Sequence, residues 1–209
     1  MYLVPHKEHL NLPRNFRELG YALDKERNFN NILIVNTTKT GPFLDRMFVE
    51  KRTTRIKCSI DDNNALADAL QQLNTTFELI CLDPYHEYEQ SNKYLSTAAS
   101  FLAEDGILIC HDCSPPNVKC TSRRFIKGEW CGVTYASFVE FAYNNPAMFY
   151  AVINRDYGLG IVTKKEMQYV RKIDSNEKQR RFLELFKNSD EEAYAYFRTH
   201  AREMINLID

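Results

Sequence analysis

The chain has 209 residues, 44% of them hydrophobic, which suffices for one sizeable core, and no Pro/Gly/Ser-rich linker marks a second one. Lys and Arg total 27 against 28 Asp and Glu, so the formal net charge of -1 gives no long-range attraction to nucleic acid or to an acidic membrane. The opening segment MYLVPHKEHLNLPRNF lacks the pattern of a signal peptide and the longest apolar run, AMFYAVI, is too short to span a bilayer, so a soluble, cytoplasmic protein is expected.

Phe16, Leu19 and Leu23 recur at helical spacing and lead through NFNN into a strand, ILIV. After NTTKTG, Pro42 stands where a helix can begin, with Leu44, Met47 and Phe48 as its apolar stripe. TRIKCSI reads as a second strand ending at Asp61 and Asp62, and ALADALQQL as a helix with Leu66, Leu70 and Leu73 inward. FELICL is the next strand. Tyr94, Leu95, Ala98, Phe101 and Leu102 make an amphipathic helix within Glu87–Ala103, followed by the strand GILIC. These strands are apolar on both faces and alternate with helices, the pattern of a mostly parallel sheet covered on both sides.

Pro115 to Glu129 reads as a locally basic loop, whose stretch from Lys119 to Lys127 is either simply solvated, the favoured reading, or closes with Trp130 over an acceptor, and GVTYASFVEFAY restores helical spacing. AMFYAVIN and GLGIVTK, separated by RDY, read as a closing antiparallel hairpin. Beyond Lys164 the chain becomes charged and amphipathic. Ser189 with Glu192 forms a capping box, and Tyr194, Phe197, Ala201, Met204 and Ile208 form one stripe. The expected organisation is a Rossmann-like domain over 1–163 with a helical extension, 164–209, packed on it. The stripe on the extension is explained either by burial against the same chain or by a homodimer.

Six cysteines include a C-x-x-C in CHDC, but Cys81 and Cys110 lie within apolar runs and the motif runs into Ser114-Pro115-Pro116 rather than a helix. Reduced core or loop cysteines are therefore favoured over zinc or redox chemistry.

Chemistry-bearing residues gather at strand ends: Asn36 to Gly41 after the first strand, Asp61 after the second, Asp83 to His86 after FELICL, and His111 with Asp112 after GILIC. In an open α/β sheet these ends face one crevice near the point where strand order reverses. Any one of these acids could simply cap the next helix, but two clusters that pair acid with imidazole are harder to explain in that way.

FELICLDPYHEYEQ followed by LAEDGILICHDCSPP resembles the Asp-x-x-His-x-Tyr-Glu and Pro-Gly-Gly…His-Asp-Cys segments of class I S-adenosylmethionine-dependent methyltransferases, specifically methyltransferase domain family 24. Trp130-Cys131-Gly132, the Asp156–Gly160 hairpin and the tail Ile205–Ile208 are similar to further segments of that family, whose macrocin O-methyltransferase and cephalosporin hydroxylase-like members are alike. The resemblance spans roughly Asn31 to Thr163 plus the tail.

It implies a seven-stranded sheet with its last strand antiparallel, S-adenosylmethionine across the ends of the first two strands, and an acceptor over the later ones. Carried onto this chain, the cofactor residues are Asn36, Thr37, Gly41, Asp61 and Asp83. A divalent metal ion would sit on Asp83, His111 and Asp112, and His86 would serve as base, with Asp83 and His111 also catalytic. The acceptor implied is a hydroxyl of a sugar or other small molecule, in surface polysaccharide biosynthesis for some relatives. A metal-free His-Asp pair that braces the loop is the alternative to the metal.

The first half departs from the family. Asn36 replaces the usual acid, and only Gly41 remains of the glycine-rich turn. Lys39, if directed inward, would repel the cofactor's ammonium by roughly 3 kcal/mol at about 6 Å and an effective dielectric near 20. Between Asp61 and Phe77 there is room for one helix but not for the extra strand and helix usually inserted there, and Val133 stands where relatives often have Asp. Two other readings therefore stay open: a repurposed binding module that has lost the cofactor, and a site where the Lys39 loop takes the phosphate of a nucleotide sugar.

Overall fold

The computed structural model describes residues 12–62, 64–173 and 176–209. The opening segment up to residue 11 lies outside them. Among the described residues, six α-helices surround one seven-stranded sheet, in the order β2-β1-β3-β4-β6-β5-β7. The expected Rossmann-like α/β architecture is thus observed.

α1 (Phe16–Arg27) begins where Asn15 accepts a hydrogen bond from the Glu18 amide at 3.0 Å and ends at Asn28 in the left-handed conformation, burying Phe16, Leu19 and Leu23. β1 (Ile32–Thr37) pairs in parallel with β2 (Thr53–Cys58) on one side and β3 (Phe77–Leu82) on the other. Strand order therefore reverses between β1 and β3. α2 (Ala65–Leu73) connects β2 to β3 directly, leaving no inserted strand, so β2 is the sheet edge, as the short Asp61–Phe77 interval predicts. Leu73, expected inward, is 43% exposed because the helix ends there at Asn74, again left-handed.

α3 (Tyr88–Ser100) leads to β4 (Leu102–Cys110), parallel to β3. β4 starts earlier than GILIC because Leu102 already pairs with Phe77 across a register irregularity. α4 (Thr134–Asn144) precedes the expected hairpin of β5 (Phe149–Ile153) and β6 (Leu159–Thr163), in which β6 runs antiparallel to both β4 and β5. α5 (Glu177–Asn188) and α6 (Asp190–Ile205) follow, and Ser189 caps α6 by accepting from the Glu192 amide. The chain closes with β7 (Leu207–Ile208), parallel to β5, so Ile208 belongs to the sheet and not to the helical stripe.

Two expectations at turns are corrected. Pro42 opens only a five-residue 3₁₀ turn, Pro42–Arg46, because Phe48 adopts a left-handed φ of 53° and β2 begins at Thr53. The loop after Pro115 contains a second 3₁₀ turn, Val118–Thr121.

The sheet divides two apolar clusters. On one face Leu33, Ile80, Tyr94 and Leu108 pack with Tyr135, Phe182 and Phe197, the last two from α5 and α6. On the other, Ile34, Cys81 and Ile109 pack with α1, Leu44 and Met47. All six cysteines are buried and free. Among the described residues no helix is long and apolar enough to cross a membrane.

Candidate active site

β1, β3 and β4 end side by side, and the turns that follow them open onto one cleft of about 320 Å³. Its walls include Lys39, Gly41 and Phe43 after β1, Asp83 and His86 after β3, His111 and Asp112 after β4, and Phe125, Trp130, Cys131 and Tyr157 from later loops. It lies where strand order reverses, the place the topology selects for a ligand.

Asp83, His86, His111 and Asp112 meet there. His86 Nε2 is 2.9 Å from Asp112 Oδ2 and 3.2 Å from Asp83 Oδ1, while its Nδ1–H donates to the Trp130 carbonyl at 2.7 Å. That carbonyl fixes the ring so that Nε2 faces both carboxylates. His111 Nδ1 is 3.4 Å from Asp112 Oδ2 and 3.9 Å from Asp83 Oδ1. Asp112 reaches this position through a left-handed φ of 61° immediately after β4. Gly132, at φ 53°, lets the loop pass against His86: a Cβ there would lie 2.1 Å from the His86 carbonyl oxygen.

Burial alone would strip His86 of its proton, but the Asp112 and Asp83 carboxylates outweigh it and push the imidazole up to about 10. His111 is raised in the same way, by Asp112, Asp156 and Asp83 against burial. Burial would raise Asp112, yet the two imidazolium groups hold its carboxyl well below the usual range. Cys131 beside Asp112 is pushed strongly upward by burial and by that carboxylate, so it presents a thiol rather than a thiolate.

Asp83, His86 and Asp112 each offer a ligand atom, and the three atoms lie within 4.8 Å of one another. The imidazole in this trio is His86, where the resemblance implied His111; His111 Nδ1 faces the same two acids from farther off, and its Nε2 lies 3.4 Å from Asp156 Oδ2. Asp156 also accepts the Phe16 amide at 2.9 Å, joining the β5–β6 turn, the start of α1 and the site. As a turn residue between two strands, Asp156 carries no local sequence signal of that role, although the hairpin that holds it is legible.

The residues expected to hold a cofactor are not brought together as a set. Gly41, at φ 66°, approaches Asp83 so closely that a Cβ would stand 3.1 Å from Asp83 Oδ2. Asn36 is buried beneath the turn, donating to the Gly41 carbonyl at 3.0 Å and to Asp45 Oδ1 at 2.9 Å. Thr37 is buried too; its hydroxyl accepts the amides of Lys39 and Thr40 and pairs with the Thr40 hydroxyl, which lies 3.0 Å from the Asp83 carbonyl. Asp61 lines a separate crevice with Ile60, Glu87, Tyr88 and Arg123. Val133 contributes its backbone, the amide donating to the His86 carbonyl at 2.8 Å.

Residues 15–113, just under half of the chain, match the sequence family described as a methyltransferase domain, number 24 of that series. No curated protein matches the sequence. Among solved structures, the chain is similar to a Podospora anserina methyltransferase bound to S-adenosylhomocysteine, at 13% identity over 72% of this chain and 78% of that one, with a TM-score of 0.48. It is similar also to a provisionally assigned caffeoyl-CoA O-methyltransferase from Staphylococcus aureus, at 14% identity over 80% of this chain and 85% of that one, with a TM-score of 0.48.

Proposed function

We propose that the protein is an S-adenosylmethionine-dependent methyltransferase that acts on a hydroxyl of a small molecule, such as a sugar, with a divalent ion on Asp83, His86 and Asp112. The observation that carries this reading is the meeting of those three ligand atoms within 4.8 Å in a cleft at the switch point of the sheet. The family match over residues 15–113 supports the methyl-transfer half of it.

The donor set suits a metal ion. Two carboxylate oxygens and an imidazole nitrogen converge, and the opposite ring nitrogen is anchored by a carbonyl, the usual support of a ligating histidine. An imidazole in the set favours manganese, iron or zinc over magnesium. Gly41 lets the turn after β1 pack directly on Asn36 and Asp83, where a Cβ would lie 2.8 Å from the Asn36 Cβ and 3.1 Å from Asp83 Oδ2.

S-adenosylmethionine supplies an electrophilic methyl group, and the ion a Lewis acid that lowers the pKa of a hydroxyl. The chain's own residues do the rest. With its pKa near 10, His86 carries a proton at neutral pH and is no base in that state; it would hold a metal ion only after losing the Nε2 proton to solvent. Asp83 and Asp112 would hold the ion with it. Trp130 holds His86 in orientation through its carbonyl, and with Phe43 and Tyr157 it gives the cleft apolar walls that limit water.

Calorimetric titration with S-adenosylhomocysteine, with and without manganese, tests the reading. Heat of binding at micromolar to millimolar ligand is expected, and its absence removes the methyltransferase assignment. His86→Ala and Asp83→Asn should each lower turnover by about a hundredfold or more with the circular dichroism spectrum preserved. Unchanged turnover in both would make the cluster structural.

A further inference from the structure

In the turn after β1, three consecutive amides already have partners. The Thr38 amide donates to the Cys58 carbonyl at 3.0 Å, and those of Lys39 and Thr40 donate to the Thr37 hydroxyl at 3.2 and 3.0 Å. A carboxylate or phosphate entering the cleft cannot recruit them without unmaking the turn. The Asn36 side chain is likewise engaged, by the Gly41 carbonyl and Asp45.

The charges lining the cleft are almost all paired. His86 faces Asp83 and Asp112, and His111 faces Asp112 and Asp156. Among the cations lining the cleft, Lys39 is the one without an ion pair among the described residues. It is exposed at the cleft wall, and its ammonium lies 5.9 Å from the centre of the Phe125 ring with no carboxylate partner among the described residues. Phe125, 55% exposed itself, stands edge-on to Trp130 with ring centroids 5.3 Å apart. The aromatic face steers the lysine across the cleft while leaving its hydrogen-bond donors open.

We propose that Lys39 is the anion-binding residue of this cleft, holding a carboxylate or phosphate of the bound ligand in place of the occupied backbone amides. The inference builds on the methyltransferase reading, in which the anion is the carboxylate of the cofactor's amino-acid end; a phosphate on the acceptor is the other source of the same chemistry. A cation that would oppose the cofactor's ammonium thus serves the carboxylate instead.

The test is equilibrium binding by calorimetry to the full chain and to Lys39→Met and Lys39→Arg. The probes are S-adenosylhomocysteine, 5′-methylthioadenosine, which lacks the amino-acid end, and uridine diphosphate. If the cofactor supplies the anion, Lys39→Met weakens S-adenosylhomocysteine by about tenfold or more, leaves methylthioadenosine unchanged, and Lys39→Arg restores most of the loss. If an acceptor phosphate supplies it, the same pattern falls on uridine diphosphate. Lys39→Met binding every probe that the native chain binds within twofold overturns the proposal. Failure of both adenosine ligands to bind the native chain removes the methyltransferase reading, and the uridine diphosphate arm then decides the role of Lys39 by itself.

Discussion

His86 is gripped by two carboxylates and a carbonyl, and the consequence is a charge that depends on the fold. Its folded-state pKa, about 10, lies above the ordinary 6.5, so the stabilisation it gives is complete below pH 6.5 and is lost as pH rises through about 10. Asp112, depressed by its imidazolium neighbours, acts at the other end, stabilising above the ordinary carboxylate pKa and losing that contribution as pH falls toward its lowered value. Urea unfolding of the native chain and of His86→Gln between pH 6.5 and 10 should show the native chain losing more stability over that interval. Parallel curves would mean that the imidazole is not charged by its neighbours. The acids and imidazoles of the site could be read from the sequence because each follows an apolar strand directly. How closely each imidazole approaches the two acids could not, since it rests on ring orientation, with Trp130 beside His86 and Asp156 beside His111.

Among the elements, helices with a clear cap and stripe were legible in advance. Ser189 and Glu192 mark the start of α6, where the Ser189 hydroxyl accepts the Glu192 amide at 3.2 Å. Ser189→Ala should therefore cost about 1 kcal/mol in urea unfolding, with no change in S-adenosylhomocysteine affinity. A loss below about 0.3 kcal/mol would show that water replaces the cap. The turn between β1 and β2 was less legible. Pro42 and the stripe after it suggested a helix, but Gly41 turns left-handed against Asp83, and β2 must start by Thr53 to pair with β1. The fate of Asn36 and Thr37 also needed the fold, because their partners are the turn itself and Asp45.

Across the whole molecule, the C-terminal helices share a core with the sheet and brace the loops of the site. Tyr135 of α4 meets Phe197 and Phe182 edge-on, with centroids 4.9 and 5.8 Å apart. Arg123 pairs with Asp190 at 2.7 Å, and the Tyr194 hydroxyl donates to the Pro115 carbonyl at 3.1 Å, fastening the loop that leads to Phe125 and Trp130. A chain ended at residue 172 would expose these aromatics and lose β7 from beside β5. It should lack a cooperative thermal transition, and a sharp native-like transition by differential scanning calorimetry would contradict the shared core. The sequence by itself determined the strand-helix alternation, the antiparallel hairpin, the absence of an extra strand and helix between Asp61 and Phe77, and the clustering of acids and imidazoles at strand ends. These are written in local periodicity and spacing. Only the tertiary structure decided that His86 faces the two acids, that Asp156 stands beside His111, that Asp61 lies in another crevice and that Lys39 has no counter-charge among the described residues. Each of those outcomes depends on distances between segments far apart in the chain, which no local pattern encodes.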